Sequence, residues 1–154
     1  MMVLALAACG SADATPPAEA TASGIQAPAG WQTLPAAAGA AKLAATASNV
    51  TVDGAEAWGD PASGCYALWI QLHGGSDGAD ALGAQILEGL AAEKITTSPE
   101  PGDGFALAIE RAPYKGKLRA QLGDGRITAL ACVANQRDPA ACETGCKSLL
   151  GAIR

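Results

Sequence analysis

The chain has 154 residues, enough for one domain with a real core but with little left for a second. Its 49% hydrophobic content is inflated by alanine, which supplies about a quarter of the residues, so large apolar side chains are scarce and each buried position contributes little area. A net charge of -5 and a pI near 4.7 argue against a general nucleic-acid binder, which needs an excess of Lys and Arg to displace counterions.

The chain opens with an apolar run, Val3 to Ala8, ending at Cys9. Residues 10–24, rich in Ala, Pro, Ser and Thr and poor in bulky apolar groups, then read as a flexible tether. Leu6-Ala7-Ala8-Cys9 resembles the lipobox of bacterial lipoproteins, in which an aliphatic and two small residues precede a cysteine that becomes lipidated. The apolar run is shorter than a full signal and lacks a basic start, so residues 1–9 read as a truncated lipoprotein signal. The resemblance implies a lipid at Cys9 and anchorage in the cell envelope. Gly10 after that cysteine implies the outer membrane, facing periplasm or cell surface.

A single globular domain is expected over 25–154. Pro35 followed by AAAGAAKLAATAS predicts a helix, with proline in its first turn and alanine carrying the propensity. NVTVDGAEAW alternates around Asp53-Gly54, which predicts a hairpin or a bent strand, and GDPASG is a loop. CYALWIQLH is apolar on both alternating faces and so predicts a central strand covered on both sides. The next stretch, ADALGAQILEGLAAEK, places Leu82, Ile86, Leu87 and Leu90 on one helical face. After the turn-rich TTSPEPGDG come three predicted strands, FALAIER, GKLRAQL and RITALACVA, the last two joined by Gly123-Asp124-Gly125.

Asp138-Pro139 then predicts a final helix, with Asp138 as its N-cap. Cys142, Cys146, Leu149, Leu150 and Ile153 share one face of it. Strands buried on both sides need helices on both sides, so the expected class is α+β, a mainly antiparallel sheet with helices packed on it as a sandwich. This element order resembles the PsbP/Mog1-like fold.

Beyond Cys9, four cysteines remain: Cys65, Cys132, Cys142 and Cys146. An even number in an extracytoplasmic chain reads as two disulfides. Cys142 and Cys146 are four apart on one helix and are poorly placed to pair with each other. The short connection after Cys132 favours Cys132 with Cys142 and Cys65 with Cys146, the alternative being to exchange the two helix cysteines. A four-cysteine zinc module is a further reading, although its C-x3-C spacing departs from the usual knuckle.

His73, the only histidine, precedes Gly74-Gly75-Ser76-Asp77. A hydrolase built on it would need a carboxylate and a nucleophile brought near by folding; the plainer reading is a strand end entering a turn, with Asp77 or Asp80 capping the next helix. The glycine run lacks the Lys-Ser/Thr of a phosphate loop, and no cofactor motif is present. Arg111, Lys115, Lys117, Arg119 and Arg126 are half of the ten basic residues and crowd into the last predicted strands. They could form a patch for an envelope protein or an anionic glycolipid, or simply keep a strand soluble. The sequence thus predicts a monomeric, lipid-anchored envelope protein that binds or builds rather than catalyses, with no cofactor and no metal.

Overall fold

The computed structural model describes residues 23–46, 50–73, 78–101, 105–123 and 125–153. Cys9, its lipobox and the tether up to residue 22 lie outside the described residues, as do Ser76, Asp77, Asp124 and the side chains of Asp80 and Leu82.

Seven strands form one antiparallel sheet: β1 (Gln32–Thr33), β2 (Thr51–Asp60), β3 (Cys65–His73), β4 (Thr96–Pro99), β5 (Phe105–Arg111), β6 (Tyr114–Gly123) and β7 (Arg126–Asn135), in the order β1-β2-β3-β7-β6-β5-β4. Among the described residues three helices pack on it: α1 (Pro35–Thr46), α2 (Gly78–Ala92) and α3 (Ala140–Gly151). The expected α+β sandwich is what forms, and β3 and β7, apolar on both faces, lie at its centre.

Alternation along these strands divides the core in two. Leu72 of β3, Ile127 and Ala129 of β7, Leu118 and Ala120 of β6, and Leu107 and Ile109 of β5 face one side, where Ala45 of α1 and Ile86 and Leu90 of α2 cover them. Trp58, Ala67, Trp69, Leu130 and Cys132 face the other, beneath Leu149 and Leu150 of α3 and Ile153 just beyond its end. Ile25 and Trp31 pack against this second cluster, and Ser23 donates a hydrogen bond to Glu56, so contacts begin two residues before the expected domain start at 25.

Several expectations need correction. Of the two forms expected at Asp53-Gly54 the hairpin is not made and the bent strand is: β2 runs through it with a register shift between Val52 and Gly54, and the reversal comes in the expected loop, at 61–64, where Gly64 takes a positive φ of 71°. TTSPEPGDG is not wholly a break, since Thr96–Pro99 pairs with β5 as an edge strand. Leu87 lies outside the covered face of α2 and is 37% exposed, because Ile86 and Leu90, one turn apart, already meet the sheet. Asp138 does not cap α3, whose N-cap is Pro139 with no side-chain cap bond. The turn is instead held by Asn135, whose Oδ1 accepts from Arg137 N at 3.0 Å and whose carbonyl accepts from Asp138 N at 3.2 Å.

The disulfides are Cys65–Cys142 and Cys132–Cys146, both with Cα atoms 5.5 Å apart. This overturns the favoured pairing and adopts its alternative, for a reason of register. Cys65 opens β3 opposite Ala134, near the end of β7 where the chain turns into α3. The first helix cysteine therefore lies over Cys65. Four helical residues further on, about 6 Å, Cys146 lies over Cys132, which is two strand residues, about 6.8 Å, back along β7.

Candidate binding groove

On the face it covers, α3 sits over β3 and β7 and stops short of β6. Its flank and the bare face of β6 form the two walls of a groove of about 860 Å³. Register explains the charge on the strand wall. Lys117 lies opposite Cys132 and Arg119 opposite Leu130, so Lys115, Lys117 and Arg119 all point to the α3 side, while Leu118 and Ala120 point into the core below α2. The helix wall supplies Glu143 and Lys147, with Leu150, Ala134 and Cys146 as the apolar floor. A second depression of about 540 Å³ continues it past Lys115 and Lys117 to Glu100, Glu110 and Gln136.

Of the five basic residues picked out in the sequence, the fold gathers three. Arg111 points to the opposite face and pairs with Glu93 at 3.7 Å, at the end of α2. Arg126 sits at the start of β7, with Asp53 Oδ2 at 3.8 Å. Within the groove, Lys117 Nζ lies 2.9 Å from Glu100, and Lys115 Nζ lies 3.8 Å from Glu110, itself held by Gln136 Nε2 at 2.9 Å. Among the described residues, neither Arg119 nor Lys147 has a carboxylate in salt-bridge reach. Lys147 was missed in the sequence because its membership depends on which flank of α3 faces β6. Its one local signal is its place beside Cys146, four residues after Glu143.

His73 is not alone. Its Nδ1 lies 2.8 and 2.9 Å from the two oxygens of Asp53, which the irregularity in β2 turns toward it. The ring is 42% exposed and Arg126 approaches the same carboxylate, so this is a surface cluster of three charged or polar groups. Among the described residues no hydroxyl or thiol is hydrogen-bonded to His73. The pair can orient an imidazole, which is one part of a general base and not a complete site.

The four sulfurs are oxidised in pairs, so no thiolate among them is left for zinc and the cysteine-ligated metal reading loses its ligands. Cys65, Cys132 and Cys142 are almost fully buried, and Cys146 is partly exposed where it floors the groove. No helix among the described residues is long and apolar enough to cross a membrane. No known protein family matches the chain, and neither the curated proteins nor the solved structures returned a match.

Proposed function

We propose that this chain is a lipid-anchored protein of the bacterial outer membrane that acts by binding rather than by catalysis, with the groove beside α3 as its binding face. The observation that carries the reading is the pair of disulfides tying α3 across the sheet, one of them flooring the groove. Such bonds persist in oxidising, extracytoplasmic compartments, which is where the lipobox-like Leu6-Ala7-Ala8-Cys9 would deliver the chain. The groove's volume falls in the range of ligand sites, and it combines an apolar floor with a few charged groups at its walls.

The test compares the protein, expressed from its own gene with the full lipoprotein signal ahead of Cys9, with its Cys9→Ser variant in a bacterial host. The lipoprotein reading expects the parent in the outer-membrane fraction, with a mass that includes lipid and two disulfides, and the variant lost from that fraction. An unlipidated parent, or a variant that stays membrane-bound, overturns it.

A second reading, a hydrolase using His73, is favoured by the Asp53 carboxylate at its Nδ1. It expects ester, peptide or phosphoester cleavage that His73→Ala abolishes. Turnover that survives this substitution, or none on any of the three classes, removes it.

A further inference from the structure

Resting on that reading of the groove, we infer that its occupant is an extended acidic peptide segment with carboxylates at alternate positions. Lys115, Lys117 and Arg119 are successive outward residues of one strand and so recur at intervals of about 6.8 Å. Side chains at alternate positions of an extended peptide recur at the same interval, so three carboxylates of such a segment can meet three cations in register.

The walls suit the same shape. α3 has 12 residues and is about 18 Å long, which matches about five residues of extended chain. Opposite Arg119 and Lys117 on β5 stand Ala106 and Ala108, whose small side chains let a backbone lie close to the cations. Leu150 and Ala134 give the intervening residues an apolar floor, and Lys147 offers a cation from the helix side.

Charge complementarity favours an acidic occupant. The groove proper is lined by four of the chain's ten basic residues and one of its fifteen acidic ones, and with Glu100 and Glu110 beside Lys117 and Lys115 it still carries one positive charge in excess, in a molecule of net charge -5. The remaining six basic and twelve acidic residues leave the rest of the chain net negative, which disfavours acidic partners away from this face. Glu100 already places a carboxylate 2.9 Å from Lys117. Both members of that pair have solvent access, so a ligand carboxylate can take its place at little cost.

The full chain is titrated with labelled Asp-Ala-Asp-Ala-Asp, with its isomer Asp-Asp-Asp-Ala-Ala, and with phosphatidylglycerol/phosphatidylethanolamine vesicles, while backbone amide shifts locate the contact. The alternate peptide is expected to bind about fivefold tighter than its isomer, an advantage lost in the Lys117→Ser/Arg119→Ser variant. Both side chains are exposed, so the variant should keep its fold, which near-UV circular dichroism checks. Equal affinity for the two isomers, affinity unchanged in the variant, or no peptide binding overturns the inference. Preference for vesicles, with shifts still at Lys115 to Arg119 and along α3, overturns the peptide but leaves the groove reading standing. Shifts confined to another face overturn the groove reading itself.

Discussion

Trp31 lies across Gly145 of α3 so closely that a Cβ built on the glycine would come 2.7 Å from the indole Cζ2 and 2.9 Å from Cε2. The missing side chain is what lets the segment before β1 seal the end of the α3 layer. Gly145→Ala should therefore destabilise the fold by about 1–3 kcal/mol, the usual range for overpacking, despite alanine's better helix propensity. Urea denaturation checks this, and Trp31→Leu in the same chain should recover part of the loss. An unchanged midpoint for Gly145→Ala would mean that the indole can slide aside.

The two disulfides close loops of very different size, with sequence separations of 77 and 14. On the chain-entropy view the longer contributes about 4.5 kcal/mol and the shorter about 3. Cys65→Ala/Cys142→Ala should thus lower stability by about 1.5 kcal/mol more than Cys132→Ala/Cys146→Ala. Urea midpoints of the two double variants decide it. Equal losses would show that packing around the sulfurs outweighs loop closure.

Tyr66 and Tyr114 meet edge to face, with ring centroids 5.6 Å apart and an interplanar angle of 86°. Desolvation first, then Tyr114 and the Asp60 carboxylate, hold the Tyr66 hydroxyl above its ordinary pKa of 10.0. Below that value both folded and unfolded chains keep the proton, and the contribution to stability is fully present. As pH rises through it the unfolded chain ionises first, so the folded state loses this contribution until Tyr66 itself ionises. Unfolding measured from about pH 9 to about 11 should fall less steeply for Tyr66→Phe than for the parent. Parallel curves would assign the alkaline loss to other groups.

Asp53 serves both His73 and Arg126 at the surface. Asp53→Asn and His73→Gln should each change stability by less than about 1 kcal/mol. A larger loss on thermal unfolding would make this cluster part of the core structure instead of its rim.

Much of this architecture was legible because β3, β6 and β7 state their faces in their own alternation: CYALWIQLH and ITALACVA are apolar on both faces, and GKLRAQL is wet on one side. Lys117 and Arg119 could be placed on one face from that pattern alone, whereas Lys115 joins them because β6 begins at Tyr114, two residues before the predicted strand. What was hidden depended on how strands align with each other. The disulfide pairing needed Cys65 set opposite Ala134, two residues beyond Cys132, and the Asp53 to His73 contact needed the irregularity in β2. The role of Gly145 depends on Trp31, more than a hundred positions earlier in the chain, which the fold brings against it.

The bond between Cys65 and Cys142 also fixes how the molecule carries mechanical load. A pull between the N-terminal side and the C-terminal helix travels from β2 across the sulfur bridge into α3. Residues 66–141, which include β3 and β7 and the whole strand wall of the groove, lie off that line of force. Only the segments before Cys65 and after Cys142 can lengthen, so the strand wall can keep its shape while the helix wall, from Glu143 on, carries the load.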